Sequence, residues 1–332
     1  MRTWHIAELL EVSARYLAER GSSSPRLDAE LLLAEVLAVG RVHLYTQHDR
    51  PLTSEEVDEY RELVARRARR EPVAYILGRA SFRYLTLRVS PAVLIPRPET
   101  EELVDLVVGW LRAEAHLPAR PTDSAHLPAR PTDPARVPDP AHAPSPPPGA
   151  GPVPARPPDV GPVVADVGTG SGAIALSLAH ETGTSVLAVD VSEDALEVAR
   201  ENRAALALEE LVELRRGDLL EGVAQGSLLA VVANLPYVSE SEYAALEPDV
   251  KDHEPGGALL AGDDGLDVIR RLLPQAATVL RPGGALFLEV GESQAPAVAA
   301  LMSEAGFGNV VVERDLSGKE RFVHAVLEKA HR

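Results

Sequence analysis

The chain has 332 residues, 50 acidic against 33 basic side chains, a formal net charge of −17, no cysteine and 28 prolines. That length exceeds what one compact core needs, so two globular parts are expected. Without cysteine there is no disulfide framework, thiolate zinc site or cysteine nucleophile, and so acidic a balance opposes gripping phosphate backbones through the overall field.

No run of 18 apolar residues occurs, and Met1 to Leu10 lacks the basic-then-apolar pattern of a signal peptide. A cytoplasmic protein with no membrane contact is expected. Residues 1–112 carry 16 basic and 17 acidic side chains and begin with a helical rhythm. Ile6, Leu9, Leu10, Ser13 and Leu17 share one face. Leu27, Leu31, Leu32, Val36 and Leu37 share another, with Asp28 and Glu30 in the first turn. A third amphipathic run covers Thr53 to Arg70 and opens on Thr53-Ser54-Glu55-Glu56, a capping-box-like start. Alternation then takes over from Phe82 through Val93-Leu94-Ile95, which predicts a β-hairpin. Pro96-Arg97-Pro98-Glu99-Thr100-Glu101 opens a further helix to about Leu111. These readings divide the first part into a helical domain (1–79), a hairpin linker (80–96) and the first helix of the following domain (97–112).

Fifteen of the prolines fall in 113–160, which begins with a near-direct repeat, Ala115 to Asp123 and Ala125 to Asp133. Proline at this density removes amide donors and blocks helix, so a disordered or polyproline-like insertion without chemistry is expected.

From 161 to 332 the rhythm is strand–helix, and this part carries 28 acidic against 13 basic side chains. Strands are predicted at Val163–Val167, Val186–Asp190, Leu211–Arg216, Leu228–Ala233, Gly284–Val290, Asn309–Arg314 and Phe322–Leu327. Helices are predicted at Gly172–His180, Ser192–Leu206, Gly265–Leu280 and Gln294–Ala305. Such alternation implies an α/β fold, a mainly parallel sheet covered on both faces, with ligands at the carboxyl ends of its strands.

Two strand ends carry the chemistry. Asp166-Val-Gly168-Thr169-Gly170-Ser171-Gly172 lies at a strand-to-helix turn, where glycines allow close backbone approach and a helix N-terminus attracts an anion. Asp190 ends the next strand, placed to accept both hydroxyls of a ribose. Asn234-Leu235-Pro236-Tyr237 follows a later strand. A carboxamide, a stiffened turn and an aromatic ring suit the holding of a planar amino group. Gly217-Asp218-Leu219 is a third candidate, bordering an adenine, with Leu219 as ordinary core the alternative.

Together these residues resemble the class I S-adenosylmethionine-dependent methyltransferases with their seven-stranded Rossmann-like sheet. Within that class Glu71-Pro-Val-Ala-Tyr-Ile-Leu-Gly78, Leu94-Ile-Pro-Arg-Pro-Glu-Thr-Glu101, the glycine turn, Glu247-Pro with Glu254-Pro, and Gly262-Asp-Asp-Gly-Leu266 resemble the release factor glutamine methyltransferases, the PrmC/HemK family. The resemblance implies S-adenosyl-L-methionine as cofactor, held by Gly168, Thr169, Gly170, Ser171, Gly172, Asp190, Leu219 and Asn234. It implies a peptide chain release factor as partner, recognised in part by the helical domain, whose Gly-Gly-Gln loop presents its glutamine to Asn234, Leu235, Pro236 and Tyr237. Asn234 and Tyr237 are the catalytic candidates. The family usually has two prolines in this turn; Leu235 replaces the first and keeps its main-chain carbonyl.

Other enzyme readings are an adenine-amine methyltransferase on RNA or DNA, which should carry a basic face, and a glutamine methyltransferase acting on a ribosomal protein. A non-catalytic cofactor-binding scaffold is the remaining reading. The acidic catalytic half suits a basic protein partner better than naked nucleic acid. Arg66-Arg67-Ala-Arg69-Arg70 reads either as a nucleic-acid patch or as a solvated helix C-terminus. His43 and His48 are five apart, off a shared helical face, so no metal is expected. A monomer is expected.

Overall fold

The computed structural model describes residues 3–114 and 163–328; the proline-rich segment expected at 113–160 lies outside the described residues from 115 onward. Helix α1 (Ile6–Glu19) buries Ile6, Leu9, Leu10, Ser13 and Leu17, the face read from its periodicity. Helix α2 (Pro25–Val36) is rotated from its expected face, burying Asp28, Ala29, Glu30, Leu32, Leu33 and Ala34. The cause is ion pairing that a hydrophobic pattern does not report. Asp28 accepts from Ser22 Oγ at 2.6 Å and Arg67 Nε at 2.7 Å. Glu30 accepts from Arg26 Nε at 2.6 Å, Arg41 Nη2 at 2.8 Å and Tyr45 Oη at 2.6 Å. Burial pushes the Glu30 carboxyl up, and the bonds from Tyr45, Arg41 and Arg26 bring it below its ordinary range.

Helix α3 (Arg41–Thr46) is short and was not legible. Helix α4 (Ser54–Arg67) opens on the expected capping box: Glu56 N donates to Thr53 Oγ1 at 3.2 Å, and Thr53 N donates to Glu56 Oε2 at 2.9 Å. Helix α5 (Val73–Leu77) ends at Gly78, whose φ of 70° is the left-handed conformation that glycine accepts without strain.

The arginine run at the end of α4 joins the two halves of the protein, a role neither sequence reading anticipated. Arg66 pairs with Glu71. Arg67, its side chain 4 % exposed, bridges Asp28 at 2.7 Å and Asp249 at 2.8 Å. Arg70 also reaches Asp249, and Glu247 at 3.1 Å. Removing one partner from a buried ionic group strands the others. Arg67→Met is therefore expected to lower unfolding free energy by about 3 kcal/mol, read as a fall in the urea midpoint. A loss under about 1 kcal/mol would mark the pairing as surface-like.

Strands β1 (Arg79–Phe82) and β2 (Leu85–Arg88) form an antiparallel hairpin shorter than the alternation suggested. Val93-Leu94-Ile95 is not strand. Prolines 91 and 96 flank it, and the Val93 carbonyl accepts from the Tyr75 hydroxyl at 2.6 Å. Phe82, Leu85 and Leu87 pack in one cluster with Leu103, Val107 and Leu111 of α6 (Pro98–Glu114), so the hairpin shares the core of the sheet domain.

The sheet domain continues with β3 (Val164–Val167), α7 (Ala173–Thr182), β4 (Val186–Asp190), α8 (Glu193–Ala205), β5 (Val212–Arg216) and β6 (Leu228–Asn234). Then follow α9 (Glu240–Ala245), α10 (Pro248–Lys251), α11 (Asp267–Val279), β7 (Leu280–Glu289), α12 (Ala295–Glu304), β8 (Phe307–Arg314) and β9 (Glu320–Leu327). Helices α9 and α10 bury no residue, so no apolar period announced them; Ser239 and Glu242, a capping box, were the available signal for α9. Strand β7 starts four residues earlier than expected, because Arg281-Pro-Gly-Gly284 reads as a turn yet is carried in the strand past a bulge.

The seven strands run in the order β5-β4-β3-β6-β7-β9-β8, and β9 is antiparallel to both neighbours. Alternate strand residues feed two cores. Val164, Ala230, Val232 and Phe287 meet α6 and α7 on one face. Ala165, Val231, Ala233 and Leu286 meet α11 and α12 on the other. This explains why these strands read as unbroken apolar runs. Strand order reverses between β3 and β6, which opens a crevice at their carboxyl ends. Among the described residues no helix is long and apolar enough to cross a membrane.

Candidate active site

The glycine turn leaves β3 at the crevice. Gly168, Gly170 and Gly172 have φ of 73°, 55° and 84°, a run that side-chain-bearing residues resist. A Cβ on Gly172 would lie 2.9 Å from Leu176 Cδ1, whereas one on Gly170 would meet nothing within 4 Å. The turn is thus closed beneath and open above. Asp166 is fully buried below it, with Oδ2 accepting from Thr169 Oγ1 at 2.6 Å and from Ala175 N at 3.0 Å. The Thr169 side chain is therefore directed under the turn. Ser171 is buried too, its carbonyl held by Asn202 Nδ2 at 2.9 Å. A ligand would meet both residues through their backbone. Burial raises the Asp166 carboxyl to about 7.

Asp190, at the end of β4, accepts from Gly170 N at 2.9 Å through Oδ2 and from Ser192 N at 2.9 Å through Oδ1. Each oxygen keeps a further lone pair, so the carboxylate braces the turn and still has acceptors for a diol. Gly217 N donates to the Asp190 carbonyl at 3.0 Å, which sets the third candidate turn beside it. There Leu219 holds φ of 58°, left-handed for a residue with a side chain, while Asp218 is paired with Arg271.

Across the crevice stands Asn234, last residue of β6. A Cβ on Gly168 would lie 3.1 Å from Leu235 Cδ2 and 3.9 Å from the Asn234 carbonyl oxygen, so the two turns touch. Leu235, 4 % exposed, fills that contact and joins the core on the α11 face. Tyr237 follows, its carbonyl accepting from Gln294 Nε2 at 2.9 Å. Gln294 Nε2 also donates to the Asp264 carbonyl at 3.1 Å. A Cβ on Gly265 would sit 2.1 Å from the Tyr237 carbonyl oxygen, which accounts for the glycine in Gly262-Asp-Asp-Gly-Leu266. Burial, and after it the charge of Glu289, raises the Tyr237 hydroxyl above its ordinary range.

Sequence reasoning missed two residues here. Asn234 Nδ2 donates to Thr100 Oγ1 at 3.0 Å, and Thr100 Oγ1 donates to Glu289 Oε2 at 2.7 Å. Thr100 comes from the Pro-Arg-Pro-Glu-Thr segment at the start of α6, and Glu289 ends β7 opposite Asn234 in register. Both are buried, at 4 % and 2 % exposure. The neighbouring Arg97 pairs with Glu254 at 2.5 Å, tying the same segment to the loop after α10. A polar residue at a strand end, as Glu289 is, was the signal available.

The site fits S-adenosylmethionine on this structure's own terms. The face above Gly170 is open, Asp190 offers acceptors to a ribose, and the buried Asp166 Oδ1 finds no hydrogen-bond partner among the described residues. Beneath the turn, that carboxylate places negative charge on the side from which a positively charged ligand group is attracted. No cluster of three or more metal-ligating side chains occurs among the described residues.

Sheet order, glycine turn and strand-end acid define a class I methyltransferase. Residues 8–78 match the PrmC N-terminal domain, and residues 156–248 match the methyltransferase small domain. Release factor glutamine methyltransferases of Rhodopirellula baltica and Geobacter sulfurreducens are 36 % and 35 % identical to the chain, each over 96 % of it and over 95 % and 96 % of their own lengths. That of Streptomyces coelicolor is 37 % identical over 96 % of this chain and 97 % of its own. The chain belongs to the release factor glutamine methyltransferase family.

Proposed function

We propose that this enzyme uses S-adenosyl-L-methionine to methylate the side-chain amide nitrogen, N5, of the glutamine in the Gly-Gly-Gln loop of peptide chain release factors. The observation that carries this reading is Asn234, held at the strand-order reversal beside the glycine turn with its amino group tied back to Thr100. When bound, the cofactor supplies an electrophilic methyl group whose S–C bond breaks as the new N–C bond forms.

An amide nitrogen is a poor nucleophile because its lone pair is delocalised into the carbonyl, so positioning and electrostatics supply most of the acceleration. Asn234 Oδ1 and the Leu235 main-chain carbonyl each accept one N–H of the substrate amide. Tyr237 packs against the amide plane, and Pro236 stiffens the turn between them. The two acceptors also stabilise positive charge as it develops on the nitrogen. No strong general base is needed, since the nitrogen becomes acidic once methylated and then releases its proton. Gly168 to Gly172, Asp190 and Leu219 hold the cofactor, and the helical domain recognises the release factor. In this reading the enzyme works as a monomer in the cytoplasm, without a metal and without direct contact to nucleic acid.

The test incubates the purified protein with methyl-labelled cofactor and, separately, release factor, ribosomal protein or RNA. Label is expected in release factor and lost when the loop glutamine is replaced. Label in RNA or ribosomal protein, with none in release factor, would overturn the substrate.

A further inference from the structure

We propose that Thr100 and Glu289 act as positioning residues that set which end of the Asn234 carboxamide faces the substrate. This rests on the reading of Asn234 given above and deepens it. A carboxamide's two ends are nearly equal in size but opposite in polarity. A substrate amide nitrogen is held by the C=O end and repelled by the NH2 end. Asn234 by itself has no preference between them.

The preference comes from proton counting. An ionised carboxylate accepts and cannot donate. Glu289 Oε2 therefore takes the single hydroxyl proton of Thr100, across 2.7 Å. With its proton committed, Thr100 Oγ1 is left as an acceptor and receives Asn234 Nδ2 at 3.0 Å. Asn234 Oδ1 is then the end left for the substrate. Pairing of Asn234 with Glu289 across β6 and β7 fixes the separation, and burial of Thr100 and Glu289 keeps water from substituting for either partner.

Protonation of Glu289 would undo this direction. A neutral carboxyl donates to Thr100, Thr100 then donates to a flipped Asn234, and the NH2 end turns to the substrate. The groups around Glu289 are Arg321 of β9, Arg97 before α6, Glu99 in its first turn, and Tyr237. Burial outweighs the Thr100 hydrogen bond and the two arginines and holds the carboxyl up to about 7. The sign follows: turnover falls as pH drops below that value and is full above it. Asp166 is also held to about 7, but it lies under the cofactor turn, so its titration reports in cofactor affinity.

The experiment measures kcat and cofactor affinity on the full chain with release factor as substrate, for Thr100→Val, Thr100→Ser and Glu289→Gln. Thr100→Val keeps shape and removes the hydroxyl; kcat is expected to fall about tenfold or more with cofactor affinity unchanged. Thr100→Ser restores the hydroxyl and should recover most of that loss. Glu289→Gln removes the titrating group, so the acid limb of the kcat profile should vanish. Thr100→Val at wild-type kcat, failure of serine to recover, or an unaltered acid limb in Glu289→Gln would each overturn the relay. Asn234→Ala separates the two ideas. If it too leaves kcat unchanged, the assignment of Asn234 itself has failed; if it alone lowers kcat, the relay has.

Discussion

Asn234→Ala is expected to lower kcat by about 100- to 1,000-fold, the loss seen when one preorganised hydrogen-bonding group is removed from a developing charge. Cofactor affinity should stay within about twofold, because the glycine turn and Asp190 are untouched. The turn after Asn234 should also survive, since it stands on other contacts. Leu235 packs against Gly168, and the Tyr237 carbonyl is braced by Gln294. Stopped assays with labelled cofactor give kcat, and calorimetric titration gives affinity. Equal losses in both would place Asn234 on the cofactor and not on the substrate amide.

Asp190→Ala should show the reverse division. Its carboxylate holds Gly170 N at 2.9 Å and Ser192 N at 2.9 Å, so the substitution removes a charged acceptor from the ligand and slackens the turn together. Hydrogen bonds to charged groups contribute about 1.5–3 kcal/mol, which converts to a weakening of cofactor binding of about 10- to 100-fold. At saturating cofactor kcat should change by less than about threefold, because the acceptors proposed for the substrate amide lie across the crevice. Unchanged affinity would remove Asp190 from the cofactor site. The pair of variants thus assigns the two sides of the crevice independently.

The strand–helix rhythm, the glycine turn and Asn234-Leu235-Pro236-Tyr237 were all legible because each is written in neighbouring residues. Apolar runs of strand length mark buried parallel strands, and positive-φ glycines mark a turn. Where the reading slipped, polarity was buried. Helix α2 turned its expected face because Asp28 and Glu30 meet Arg67 and Arg41 from neighbouring helices. The arginine run of α4 was weighed as a surface feature, and its partner Asp249 lies far along the chain.

Length and charge first suggested a two-part acidic protein, and short runs of neighbouring residues carried the resemblance that implied its class and pointed to the glycine turn and Asn234 as candidates. Tertiary structure decided how that asparagine is held. Thr100 is 134 residues from Asn234 and 189 from Glu289, yet the three form one hydrogen-bonded chain. No local pattern encodes such a contact. It arises when strand order brings β6 beside β7, packs the start of α6 over their ends, and excludes water so that each polar group must find a partner.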